Sequence, residues 1–128
     1  MLKAEAKIHG STPEKVKLHE LASADTLADI VGVAEALSQL NAFKAEIYSL
    51  PVTVGSGYVK VEHGVIPVPL PATLEILRIK GFPFRLGGGK GELSTPTGVA
   101  ILTALAKPLR LAEPLELKAS RVGYGAGS

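Results

Sequence analysis

Prolines at alternate positions, Pro67, Pro69 and Pro71 in the stretch VIPVPLP, set the tightest limit on what this chain can fold into. Each fixes φ and removes a backbone donor, so residues 63–71 can form neither helix nor sheet interior. A second interruption follows at residues 81–91, which hold five glycines and read as a flexible loop. Between such breaks only short elements fit. A chain of 128 residues with 46% hydrophobic and 20% charged residues nevertheless has enough apolar side chains for a globular core.

The elements can be placed from spacing and caps. Residues 2–9 are rich in helix formers and read as the tail of a helix stopped at Gly10. Val16 to Leu18 alternates and reads as a short strand delivering His19 and Glu20 at its end. Ser23 or Asp25 can cap the next helix, predicted over 25–40. Its apolar residues Leu27, Ile30, Val31, Ala34, Leu37 and Leu40 recur at spacings of three and four and should pack on the core. Residues 45–54 read as a strand in which Pro51 marks an edge or bend, Gly55-Ser56-Gly57 as a turn, and 58–61 as another strand. Pro71 can open a helix over 72–79. Thr95-Pro96 should start a further helix with Val99, Leu102, Leu105 and Ala106 on its apolar side, ended by Pro108. Leu115 to Val122 reads as a last strand before the glycine-rich GYGAGS. The order α-β-α-β-β-α-α-β predicts an α/β or α+β fold, a single layered domain over 1–128 with a mixed sheet and about four helices.

Composition removes several functions. Fourteen basic residues against twelve acidic leave a formal charge of +2, and aromatics are 5%, which argues against nucleic acid as a partner. The absence of cysteine excludes a disulfide scaffold, a thiolate metal site and a cysteine nucleophile. No signal peptide or membrane-spanning run is visible, so the expected location is the cytoplasm, with no membrane partner. GGGKGE fails as a phosphate loop, because Gly91 stands where serine or threonine must follow the lysine.

What remains is concentrated in three places. In LHELASADTLADIVG, His19 and Glu20 precede a helix whose first turns carry Asp25 and Asp29, one turn apart and on one side. Imidazole and carboxylate together suit nickel, zinc, iron or manganese. The same acids equally suit a helix start, where the macrodipole favours negative charge. His63, in VEHGVIP, is either a further ligand held at a loop corner or a solvated surface histidine. GELSTPTG, residues 91–98, presents glycine amides and threonine hydroxyls at a helix start. That arrangement fits phosphate or carboxylate, or ordinary capping by Thr95.

Four stretches then match one family in order. LHELASADTLADIVGVAEAL resembles its H-F-H-E-V-G-A-x-D-x-x-x-D-I-V-G run, and VGSGYVKVEHGVIPVPLPATLEIL its G-S-G…H-G-x-x-P-V-P-x-P-A-T block. GELSTPTGVAIL resembles G-E-L-x-T-P-T-G-x-A-I-L, and VGYGAG a closing glycine motif. The family is the LarC-type nickel-insertion proteins. Among the departures from it, Lys17 replaces the first histidine of H-F-H-E, and Ala22 replaces a glycine.

The resemblance implies a nickel chelatase of the lyase class. It would insert nickel, with consumption of CTP, into pyridinium-3,5-bisthiocarboxylic acid mononucleotide to make the nickel-pincer cofactor of lactate racemase. It implies His19, Glu20, Asp25, Asp29 and His63 as metal ligands, and Glu92, Thr95, Thr97 and Gly98 as residues holding the mononucleotide. It also implies a middle segment or split part of a larger protein. CTP and its divalent metal would then belong to a C-terminal domain or separate chain, and homo-oligomers are compatible with the pattern. The competing expectation is a non-catalytic scaffold that docks a CTP-binding partner.

Overall fold

The structure, a computed structural model, describes residues 1–16, 23–61, 64–109 and 116–126. Among the described residues, four α-helices, α1 (Leu2–Ile8), α2 (Ala24–Gln39), α3 (Pro71–Lys80) and α4 (Pro96–Leu105), are joined by short strands, the α/β architecture expected. The strands are β1 (Tyr48–Ser49), β2 (Val52–Thr53), β3 (Gly55–Ser56), β4 (Tyr58–Val61), β5 (Gly64–Pro67), β6 (Phe84–Arg85), β7 (Gly91–Glu92) and β8 (Lys107–Pro108). A 3₁₀ turn, Ala42–Lys44, follows α2.

Pairing is mixed. β1 runs parallel to β8 and β2 parallel to β6, while β3–β7 and β4–β5 are antiparallel. The extended run 47–54 is bordered by β8 along its first half, where the Lys107 and Leu109 amides donate to Ile47 and Ser49. Along its second half β6 takes over, with the Val52 and Val54 amides donating to Pro83 and Arg85. The break falls at Leu50-Pro51, where proline removes a ladder donor. The single strand expected over 45–54 is therefore two strands with two different partners.

The core lies between this run and the helices. Val52, Val54, Ile76, Leu77, Phe82 and Val99 form it together with Ala4 of α1. Helix ends follow local chemistry. Ser23 Oγ accepts the Thr26 amide at 3.2 Å at the start of α2, so Ser23 and not Asp25 is the cap. Pro71 and Pro96 occupy the first positions of α3 and α4, where the missing amide costs nothing. Gly81 ends α3 with φ 59°, the left-handed conformation that glycine adopts without penalty.

Three expectations need correction or restriction. First, the apolar side of α2 is not core: Thr26 is its one buried residue, Leu37 is half-buried, and Leu27, Ile30, Val31, Ala34 and Leu40 are exposed. Period alone marks an apolar side but does not supply something to cover it. Second, residues 116–122 form no strand; described residues 116–126 are irregular and exposed, because no neighbouring strand offers them a ladder. Third, Val16 is not in a strand, and Lys17 and Leu18 of the expected 16–18 strand lie outside the described residues. Among the described residues, no helix is long and apolar enough to cross a membrane.

Candidate functional site

The glycine-rich stretches come together around β3. Gly55 pairs with Glu92 and Ser56 with Gly91, so the GSG turn, the GGGKG loop and the start of STPTG share one corner of the fold. Close packing explains two of the glycines. Gly55 has φ 87°, and a Cβ there would stand 2.0 Å from the Gly91 carbonyl oxygen. A Cβ on Gly88 would meet Thr53 Cγ2 at 2.5 Å. Polar side chains pin the corner. Ser56 Oγ donates to the Gly89 carbonyl at 2.9 Å, Ser94 Oγ to the Thr53 carbonyl at 2.8 Å, and Thr73 Oγ1 to the Ser94 carbonyl at 3.3 Å. The last two bonds tie the approach to α4 to the strand run and to the first turn of α3.

Glu92 sits on β7, half-buried, with Oε1 shielded from solvent. Thr95 is exposed, and its Oγ1 accepts the Gly98 amide at 3.2 Å, so one hydroxyl and one amide satisfy each other in the cap. Thr97 is half-buried in the first turn of α4. Glu92, Thr95, Thr97 and Gly98 are thus neighbours in one strand-to-helix passage. The structure adds Ser56, Ser94 and Thr73, which the reading of isolated motifs did not single out. The signal available for Ser56 was its position between two glycines, a pattern that marks a tight turn or a close backbone approach.

The metal-ligand set is distributed differently. His19, Glu20 and His63 lie outside the described residues. Asp25 and Asp29 are exposed on the first turns of α2. Those turns border, through Thr26 and Leu27, an apolar hollow of ≈ 580 Å³ shared with Ile76, Ile79 and Lys80 in the C-terminal half of α3. Thr95 instead follows Ser94, which is bonded to Thr73 near the α3 start. The two groups thus border different parts of α3. Among the described residues, no group of three or more histidine, aspartate or glutamate side chains could hold a metal ion.

Away from this corner, two surface pairs shift ionisation. The Lys107 ammonium and the Tyr48 hydroxyl, the latter at 2.9 Å, both donate to Glu46. They hold its carboxyl below the usual range, while the carboxylate raises both the Tyr48 phenol and the Lys107 ammonium. Glu75 is likewise lowered by two hydrogen bonds from Arg78, at 2.6 and 2.7 Å. Glu46 and Lys107 join the approach to β1 to β8, whereas Glu75 and Arg78 lie one turn apart on α3.

Comparison with known proteins covers the whole chain. A family model described as "Nickel insertion protein" matches residues 1–128. A relative from Methanothermobacter thermautotrophicus, named "Putative nickel insertion protein", is 47% identical over 126 residues, 98% of this chain and 30% of the relative. One from Desulfitobacterium hafniense, named pyridinium-3,5-bisthiocarboxylic acid mononucleotide nickel insertion protein, is 44% identical over 126 residues, again 98% of this chain and 30% of the relative. The chain thus spans a little under a third of the length of these curated relatives. No solved structure matches it.

Proposed function

The chain belongs to the nickel insertion protein family, and from that premise we propose that it takes part in inserting nickel into pyridinium-3,5-bisthiocarboxylic acid mononucleotide. The observation that carries this reading is the match from the first residue to the last, together with the family's separate glycine and threonine blocks meeting at β3, β7 and α4. The mononucleotide phosphate would lie along the Gly91–Gly98 passage. There the Thr97 amide and hydroxyl can donate to an anion, the Gly98 and Val99 amides being taken up by Thr95, and the helix start favours negative charge. Nickel, the cargo, would be handled by His19, Glu20, Asp25, Asp29 and His63. Imidazole and carboxylate bind nickel without the tenacity of thiolate, which suits a metal that must be released. The absence of cysteine fits that requirement.

In this reading the protein acts in the cytoplasm as part of a chelatase of the lyase class. CTP and its divalent metal are bound by a C-terminal domain or partner chain, and the product is the nickel-pincer cofactor of lactate racemase. Calorimetric titration of the chain with nickel and with the mononucleotide, with and without a CTP-binding partner, tests it. Saturable mononucleotide binding by the chain alone is expected; binding to the partner with none to the mononucleotide would replace the proposal with the scaffold reading. The exposed apolar side of α2 is the observation that favours that second reading.

A further inference from the structure

Thr73, in the first turn of α3, is 0% exposed. Valine has nearly the same shape and would fill that position with no polar group to desolvate. A hydroxyl buried there costs free energy unless it is bonded, so its choice of partner carries information. Thr103, buried on α4, satisfies its hydroxyl within its own helix, donating to the Val99 carbonyl at 2.7 Å. Thr73 instead reaches the Ser94 carbonyl, 21 residues along the chain, at 3.3 Å. Ser94 is held from the other side as well, because its own hydroxyl donates to the Thr53 carbonyl at 2.8 Å. Residue 94 is thus pinned between the strand run and α3 immediately before the cap of α4. Beyond that point little freedom remains. Pro96 has a fixed φ, the Thr95 hydroxyl accepts the Gly98 amide, and the Thr95 carbonyl accepts the Val99 amide. Holding the Ser94–Thr95 link therefore holds the whole first turn of α4, Thr97 included.

We propose that Thr73 and Ser94 are positioning residues for mononucleotide binding, their two hydrogen bonds holding the start of α4 so that the Thr97 amide and hydroxyl meet the phosphate in one fixed orientation. This rests on the proposed place of the phosphate at the start of α4. Neither side chain touches the ligand in this assignment: Thr73 is sealed in the core, and the Ser94 hydroxyl is committed to Thr53. Both act through the backbone between them and Thr97. The first amides of a helix have no partner within it, so the turn that carries them is held only by its cap and by whatever grips the chain just before it. Donors already aimed bind an anion more tightly than donors that must be ordered on binding. The two bonds supply that ordering in the free protein.

Calorimetric titration with the nickel-free mononucleotide tests this, with melting temperatures measured alongside. The variants are Thr73→Val, Thr73→Ser, Ser94→Ala and, as a control, Thr103→Val. Thr73→Val and Ser94→Ala should each lower affinity about fivefold or more, the worth of a hydrogen bond, while the melting temperature falls by about 3–8 °C. Thr73→Ser keeps the hydroxyl and should bind within about twofold of the parent. Thr103→Val deletes a buried hydroxyl bonded inside α4, so it should lose similar stability yet also bind within about twofold of the parent. A parent chain that does not bind the mononucleotide removes the site reading and this assignment with it. A parent that binds, with Thr73→Val and Ser94→Ala unchanged in affinity, removes the assignment alone. So does equal weakening by Thr73→Ser, which would trace the effect to lost packing, or by Thr103→Val, which would trace it to general loosening of α4. If Thr73→Val does not fold, Ser94→Ala decides: weakened binding in that folded variant supports the assignment, and unchanged binding overturns it.

Discussion

Gly55 has no room for even a methyl group, since a Cβ there would press to 2.0 Å from the Gly91 carbonyl oxygen while φ stands at 87°. Gly55→Ala should therefore destabilise the chain by about 2–4 kcal/mol, a loss readable as a lower denaturant midpoint, because backbone rather than a pliable side chain is in the way. Thr97→Val keeps shape and deletes one hydroxyl. If the mononucleotide binds at the start of α4, its affinity should fall by about 1–2 kcal/mol with the melting temperature held, and equal affinity would remove Thr97 from the site. A third residue-scale test concerns ionisation. The Glu46 carboxyl, lowered by Lys107 and Tyr48, favours the folded state above its unfolded value near 4.5, a contribution lost as pH falls through the lowered value. The Tyr48 phenol is raised by the same carboxylate, so its stabilising bond persists below about pH 10 and disappears as pH rises through the folded value. In Glu46→Gln the Tyr48 titration, followed by ultraviolet difference absorbance, should move down toward 10. Local chemistry of this order was legible in the sequence: Thr95 caps and Pro96 opens α4 because caps depend on residues three apart. The Gly55–Gly91 contact was not, because it joins residues separated in the chain by β4, β5, α3 and β6.

Among the elements, α2 and α4 show what periodicity can and cannot give. Both apolar patterns are visible in the chain, and both form helices at nearly the expected bounds. Val99 of α4 is 2% exposed in the core, whereas Ile30 of α2 is 41% exposed at the edge of two hollows. Val99→Asp should bury an unpaired charge and cost at least about 3 kcal/mol, or abolish folding. Ile30→Asp, which a fully packed α2 would make equally severe, should cost only about 1 kcal/mol, because its carboxylate can reach water. Comparing their urea midpoints checks the difference; equal losses would mean that α2 is covered in solution. Strands were less legible than helices for a related reason. Residues 115–122 carry suitable side chains, but a strand exists only when a partner accepts its ladder, and described residues 116–122 have none. Conversely β6 lies inside the stretch read as a glycine loop and β7 begins at its end, formed because β2 and β3 pass beside it.

At the scale of the molecule, the fold is tied by pairings between distant parts of the chain. The metal-ligand grouping could not be read for the same reason: whether His19, Glu20 and His63 join Asp25 and Asp29 depends on tertiary placement, not on spacing. The pairing of β1 with β8 brings together residues about sixty positions apart, with the Glu46, Lys107 and Tyr48 side chains clasped beside it. That clasp has a kinetic meaning. Closing so long a loop costs entropy before the contact returns anything, so the pairing belongs late on the folding route, after α3 and α4 have met. Loosening it with Glu46→Gln should leave the refolding rate within about a factor of two and appear almost wholly as faster unfolding in stopped-flow chevrons. A matching slowdown in refolding would instead put the clasp in the folding nucleus. If it does close last, the β1–β8 pair acts as a latch on the lifetime of the native state, setting how long the chain stays folded rather than how quickly it gets there.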